Sequence, residues 1–189
     1  MKTGNEILDE RKERALLNLQ SAKEVVLSES QLQTVLRAEE YIHSTPLTTI
    51  QSTEPDTFNT VSHGRFSNNA VLYKQKDGEV SCAVIDWQEV CFQSLTIDVS
   101  TCIYSNLSEE DFREYEDDLL VYYIETFNQF LHPLLHYQDQ IKILDLEVFR
   151  REQKINKFSI ILSIVGLNGW LEDECKRERI LKYLETIDS

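Results

Sequence analysis

The chain has 189 residues, 41% of them hydrophobic and 28% charged, which is enough for a globular domain with a sizeable core. Its net charge of −14 repels phosphate backbones and anionic lipid, which argues against nucleic-acid or membrane-surface partners. Four cysteines without a C-x-x-C pair, and an N-terminus without an apolar stretch, argue against a secretory signal and predict free thiols in the cytoplasm.

Two helices and a loop are predicted at the start of the chain. Recurring apolar residues predict one helix over 5–27 and a second over 29–43. Residues 44–57 are rich in Ser, Thr and Pro, which is typical of a loop. The whole chain has only five glycines and three prolines, a composition that favours helix over a turn-rich β fold.

One β signal follows these helices. The stretches AVLYK and EVSCAVID flank QKDG, in which Asp77-Gly78 is a strong hairpin turn because glycine accepts a positive φ without steric cost. A two-stranded hairpin alone is marginal in water. We therefore expect this hairpin to pack on the helices.

Helices predominate in the rest of the chain. A short apolar helix is predicted over 97–104, and Ser108 is the expected N-cap of a long amphipathic helix. Two further helices are predicted over 146–169 and 172–186. The apolar stretch 158–170 is shorter than the roughly 20 residues of a membrane span, so we interpret it as a buried core helix. The predicted fold class is α+β, mostly α, with one β-hairpin.

The loop SHGRFSNNAVLY and the strand end AVIDWQ carry a family resemblance. They resemble the insect ecdysteroid kinase-like family, also called CHK-kinase-like, of the aminoglycoside phosphotransferase and choline kinase group. In that family a His-Gly-Asp-Leu-Trp-Thr-Asn-Asn loop precedes a strand, a turn and a strand that closes on Ile-Asp-Phe-Gln. The upstream FNTVSHG, the downstream SLTIDVSTCIY and the helical tail are also similar to the family. The resemblance implies a kinase-like C-terminal lobe and ATP-dependent phosphorylation of a small-molecule hydroxyl.

The resemblance also implies roles for the loop positions. In the family the loop aspartate is the base, while a loop asparagine and the aspartate after the hairpin hold Mg²⁺ on the nucleotide. Here the base position falls on Arg65, which is always protonated, and the asparagine position falls on Ala70, which has no ligand atom. Asn69 lies one residue earlier, where strand alternation would turn its side chain away. Asp86 is left as a weak metal ligand, so we predict no intact catalytic set and only weak binding of MgATP.

Two residues are expected to support the loop. By resemblance His63 packs and hydrogen-bonds within it, and Asp98 bonds to its backbone. Asp98 is also a candidate N-cap for a helix that begins at Val99. Arg65 is expected to pair with an acidic side chain, with attraction of a phosphate as the alternative. His132 and His136 have a spacing that suits zinc, but a proline lies between them and no third ligand is evident, so we predict no zinc site.

Three hypotheses for function follow. We interpret 1–189 as one kinase-like lobe, with N-terminal helices and a loop over 1–57, the loop and hairpin over 58–90, and a helical part over 91–189. The family's strand-rich N-terminal lobe, with its nucleotide-binding lysine, is not visible before the loop. The chain is then an inactive relative that binds a partner, a kinase whose other lobe lies on further sequence, or a helical scaffold without a ligand. We also expect an exposed apolar surface around the hairpin, which a protein partner, a second chain or the N-terminal helices would cover.

Overall fold

The computed structural model describes residues 4–25, 28–46, 58–133 and 143–188. Within these ranges the chain forms seven α-helices and two small antiparallel sheets. This confirms the predicted fold class, which is α+β and mostly α.

Two helices come first, as the sequence predicts. α1 spans Gly4–Glu24 and α2 spans Glu29–Ser44. Ser28 begins α2 with a capping box, because its hydroxyl accepts from the Gln31 N–H while the Gln31 side chain accepts from the Ser28 N–H. Most of the predicted loop 44–57 lies outside the described residues.

The predicted hairpin is present. β1, Asn59–Ser62, precedes it, and the hairpin itself consists of β2, Val71–Lys76, and β3, Glu79–Val84, which pair antiparallel. Asp77 and Gly78 form the turn with φ values of 53° and 83°. A two-residue turn with both central residues at positive φ matches the right-handed twist of the strands.

A second sheet, which the sequence did not predict, joins the two ends of the loop and hairpin segment. In it β1 pairs antiparallel with β4, Cys91–Ser94. The buried carboxylate of Glu152 fastens this sheet to the helical part. It accepts hydrogen bonds from the Phe58 N–H at 2.9 Å and from the Ser94 hydroxyl at 2.8 Å. The sheet therefore fixes where the loop leaves and re-enters the helical core.

Five helices complete the described chain. They are α3 at Leu95–Asn106, α4 at Glu109–Leu131, α5 at Leu146–Ile155, α6 at Lys157–Val165 and α7 at Glu174–Leu184.

The prediction of one continuous helix over 146–169 is wrong, although the predicted start of α4 is confirmed. Ser108 caps α4 as predicted, with its hydroxyl accepting from the Asp111 N–H at 3.0 Å. The predicted helix 146–169, however, is broken at Asn156, whose side-chain amide donates to the Glu152 carbonyl at 2.8 Å. Such a bond offers the backbone an alternative to the next helical turn. The apolar periodicity runs through the break, so the pattern could not locate it.

The larger core surrounds α6. Its residues 158–165 are all buried, in agreement with the interpretation of this stretch as a core helix, because a helix that is apolar on every side needs neighbours all round. A smaller core between α3, α4 and α5 includes Leu95, Leu120 and Phe149. Among the residues described, no helix combines the length and the hydropathy of a membrane span.

Candidate functional site

The loop between β1 and β2 is built around His63, which is buried. Its Nε2 lies 2.7 Å from the Ile85 carbonyl oxygen, and its Nδ1 accepts from the Arg65 N–H at 3.3 Å. These two contacts fit the tautomer with the proton on Nε2. The ring also packs on Trp87, with 4.9 Å between centroids. His63 thus ties the loop to the residues that follow the hairpin.

Asp98, in the first turn of α3, holds the loop backbone. Its Oδ2 accepts from the His63 N–H at 2.6 Å, and its Oδ1 accepts from the Gly64 N–H at 3.1 Å. Ser94 is the N-cap of α3, so the alternative role of Asp98 as an N-cap is wrong. Burial raises the pKa of Asp98, and the two backbone N–H groups and the charge of Arg11 offset only part of that effect.

At Gly64 the loop passes close to the chain that follows the hairpin. It has a φ of +87°, and a Cβ at this position would lie 2.2 Å from the carbonyl oxygen of Glu89. The buried Arg11 of α1 donates from Nη2 to the Gly64 carbonyl at 2.6 Å and from Nη1 to Gln93 Oε1 at 3.1 Å. The loop is therefore clamped between α1 and the chain leading into β4.

Glu89 gathers three arginines beside the loop. Arg14 donates to both of its carboxylate oxygens, at 2.8 and 3.2 Å, while Arg11 Nε lies at 3.6 Å and Arg65 Nη1 at 3.7 Å. Burial pushes the pKa of Glu89 upward, but the hydrogen bonds and charge of Arg14, with the charges of Arg11 and Arg65, outweigh burial and lower it. Arg65 therefore has an acidic partner.

The loop ends in a short 3₁₀ helix, Asn68–Ala70, and not in a strand. β2 begins only at Val71, so the strand alternation that predicted an outward-turned Asn69 does not apply. Ala70 is buried, and its carbonyl accepts from the Ile85 N–H at 2.9 Å. Asn69 lies in the lining of the same pocket as Asp86.

That pocket has a volume of about 230 Å³ and lies between the loop and the start of α7. Its polar lining includes Arg65, Asn69, Asp86 and Lys176. Asp86 has a left-handed backbone, with φ 65° and ψ 48°. A non-glycine residue adopts this conformation at a cost, and such residues cluster at functional sites.

The pocket lining suits an anion better than a metal ion. Among the described residues it presents two cationic side chains, Arg65 and Lys176, and one carboxylate, Asp86. Mg²⁺ requires six oxygen ligands in near-octahedral geometry, and one carboxylate with amide oxygens is a weak set. The described ranges contain no group of three or more His, Cys, Asp or Glu side chains suited to a metal. His136, from the histidine pair considered for zinc, lies outside these ranges.

Comparison with known families bears directly on this loop. A model of the ecdysteroid kinase-like family matches residues 3–136 of the chain. The chain belongs to the ecdysteroid kinase-like family. The match confirms the family that the loop and hairpin motifs predict. It ends before α5, so the similarity of the helical tail to the end of the family stays a prediction. Searches among curated proteins and among solved structures found no match.

Sequence reasoning missed the charged residues that hold this ecdysteroid kinase-like loop. Arg11, Arg14, Glu89 and Gln93 all contact it or each other. The available signal was weak: Arg11 and Arg14 are three residues apart, which places them on one face of α1, within an irregular apolar stripe. Two arginines on one helix face are ordinarily interpreted as solvent-exposed, but Arg11 is buried.

Proposed function

We propose that this ecdysteroid kinase-like chain is a degenerate member that keeps the kinase loop as a scaffold and does not transfer phosphate by itself. The observation that carries the proposal is Arg65. It occupies the position of the family's loop base, and its guanidinium, paired with Glu89, cannot accept a proton at neutral pH. Phosphoryl transfer depends on a positioned acceptor hydroxyl and on metal-neutralised phosphates, and Ala70 removes one of the two expected metal ligands.

The pocket next to Arg65 still has the chemistry to receive phosphate weakly. Arg65 and Lys176 would face the phosphates, and Asp86, with the amide oxygen of Asn69, would offer ligands to Mg²⁺. A bound nucleotide would supply the phosphoryl group of the family reaction. With one carboxylate for the metal, we expect the affinity for MgATP to be no tighter than about 1 mM.

A phosphate-transfer assay tests the proposal. The purified chain is incubated with MgATP and an ecdysteroid, next to an active family member as positive control. We expect less than one product molecule per chain over hours. Arg65→Asp is expected to leave transfer undetectable, because Ala70 still supplies no ligand. Product that grows with time and exceeds the amount of protein would overturn the proposal.

A working hydroxyl kinase is the second candidate, and one observation favours it. Asn69 and Asp86 line one pocket, so an oxygen ligand lies next to the expected position at Ala70. This candidate needs a nucleotide-binding lobe on further sequence. The transcript upstream of Met1 tests this candidate. An in-frame, strand-rich segment with a suitable lysine supports the kinase, and in-frame stop codons directly upstream of Met1 in every transcript exclude it.

An interaction role fits the exposed hairpin, which is the proposed contact surface for a protein partner or a second chain. Large apolar side chains there are open to solvent: Leu72 is 58% exposed, Tyr73 70% and Val80 68%, and Trp87, just after the hairpin, is 50% exposed. Exposed patches of this kind mark interaction sites or aggregation-prone surfaces. Sedimentation of the chain at increasing concentration tests self-association, and a monomer that binds no partner through this hairpin would favour the ligand-free scaffold.

The free cysteines support a cytoplasmic location for this module.

A further inference from the structure

A second pocket shares no lining residue with the pocket next to Arg65. It has a volume of about 330 Å³ and is formed by side chains of α3, α4, α5 and α7, with Thr186 beyond α7. This volume is at the lower end of the roughly 300–1,000 Å³ of small-molecule pockets. Nothing in the proposed function uses it.

Three aromatic rings form one part of this lining, which we call the ring cluster: Tyr104, Phe112 and Tyr183. The ring centroids of Tyr104 and Tyr183 are 4.2 Å apart, and those of Tyr104 and Phe112 are 5.0 Å apart. The three rings are tilted relative to one another and partly buried. Such rings present flat apolar faces on which the body of a ring-containing ligand can pack.

The charged part of the lining is cationic, in a chain whose net charge is −14. Arg113, Arg150, Arg179 and Lys182 line the pocket together with one carboxylate, Glu116. Glu116 is engaged, because Arg150 donates to it at 2.7 Å and to Asp117 at 2.7 Å. The carboxylate nearest the rings is thus already neutralised by an arginine.

The guanidinium of Arg179 has fewer hydrogen-bond partners than that of Arg150. Its Nε donates to the Cys175 carbonyl at 3.2 Å. Its Nη1 is buried and has no hydrogen-bond partner among the described residues. Burial lowers the pKa of Arg179, and nearby acids, including Asp173 and Asp111, work in the opposite direction. Nη1 itself is closed to solvent, but Arg179 lines the pocket and its guanidinium makes one hydrogen bond to the described residues, so an anionic group bound in the pocket would lie beside a positive charge that no carboxylate among those residues pairs with directly.

We propose that this pocket binds a small organic anion in which a ring-containing apolar body carries one carboxylate or sulfonate group. The ring cluster takes the apolar body, and Arg179 takes the anionic group. The cationic lining selects the charged ligand over an uncharged one of the same shape, because only the anion gains the Coulomb attraction of the arginine and lysine charges.

Calorimetric titration of the full chain with 2-naphthalenesulfonate, and with the uncharged 2-naphthalenesulfonamide, tests the proposal. We expect the sulfonate to bind with a Kd below about 1 mM and the sulfonamide at least about tenfold more weakly. Arg179→Gln should weaken sulfonate binding by about tenfold and leave sulfonamide binding unchanged. Arg151→Gln makes the same charge change at an exposed position outside the lining and should leave both affinities within about twofold.

Chemical-shift mapping on the unmodified chain tests the location even where Arg179→Gln does not fold. The sulfonate should move the resonances of the ring cluster most. The proposal is overturned if the Kd of the sulfonate is above about 1 mM, or if the sulfonamide binds as tightly. It is equally overturned if the two arginine variants weaken binding alike, or if the largest shifts fall on the loop around Arg65.

Discussion

At Gly64 the loop comes so close to the carbonyl oxygen of Glu89 that a side chain has no room. Gly64→Ala would place a Cβ 2.2 Å from that oxygen and 2.8 Å from Arg11 Nη2, and it would also force alanine to a φ of +87°. We expect this substitution to lower the free energy of unfolding by about 3 kcal/mol or more, because backbone must move in addition to the φ strain. Chemical denaturation measures it.

Gly78 provides a matched control for that substitution. Its φ is +83°, but a Cβ there would meet nothing within 4 Å. Gly78→Ala should therefore cost only the strain of the left-handed conformation, about 1–2 kcal/mol. Equal losses for the two variants would show that the close approach at Gly64 has no energetic weight.

Glu89 makes the stability of the loop depend on pH. Its pKa is lowered in the folded chain, so the stability it contributes is fully present above its ordinary value of 4.5 and is lost as the pH falls through the folded value. At pH 7, Glu89→Gln should lower the free energy of unfolding by about 2 kcal/mol, since hydrogen bonds to charged groups are lost. The difference between wild type and variant should shrink below about pH 4.5.

Glu13→Gln is the control for charge alone. Glu13 is an exposed glutamate of α1, so its substitution should change the free energy of unfolding by less than about 0.5 kcal/mol at any of these pH values. A Glu89→Gln effect that stays constant down to pH 3 would contradict the role of the ionised carboxylate.

At the scale of elements, α1 is fastened to the loop through one buried side chain. Arg11 contacts Gly64, Gln93 and Glu89 from a single guanidinium, and a lysine at this position would present one ammonium group with no fork geometry. Arg11→Lys should therefore lower the free energy of unfolding by about 2–4 kcal/mol, measured by denaturant titration. Arg151→Lys, on the exposed side of α5, should cost less than about 0.5 kcal/mol. A small effect at Arg11 would show that α1 packs without this clamp.

The hairpin could be predicted from the sequence, whereas the second sheet could not. The hairpin was predictable because its signal is local: two apolar stretches and Asp77-Gly78 specify strands, turn and register together. The sheet of β1 and β4 was not, because each strand has four residues and its partner lies about thirty residues away in the chain. Such pairing depends on packing, and the buried Glu152 that secures it gives no sequence signal.

Some residues of the candidate site could be predicted from the sequence and others could not. The loop-supporting roles of His63 and Asp98 were expected from family resemblance. In the structure, His63 Nε2 lies 2.7 Å from the Ile85 carbonyl oxygen, and Asp98, in α3, accepts from the His63 N–H. The contacts of Glu89 with Arg11 and Arg14 join residues far apart in sequence, so no local pattern contains them. The strand-based prediction for Asn69 is wrong, because Asn68–Ala70 forms a 3₁₀ helix and β2 begins only after it.

At the scale of the whole molecule, cationic side chains gather at two places, the loop and the second pocket. The chain carries 33 acidic against 19 basic residues, yet arginines concentrate at the loop, where three of them surround Glu89. This arrangement pairs Arg65, which we propose as the counterpart of the family's base, with Glu89. Under the proposed function, the loop scaffold is retained while Asp86 and its neighbours in the pocket are the groups left to hold a metal-bound nucleotide.

The melting temperature of the chain with and without 1 mM MgATP tests the central proposal, that the loop scaffold remains while nucleotide binding is reduced to a weak site. At a Kd of about 1 mM, binding adds only about 0.4 kcal/mol of stability. For a chain of this size we therefore expect a rise of about 1–2 °C. A rise of many degrees that Asp86→Ala abolishes would contradict the claim and show a functional nucleotide site.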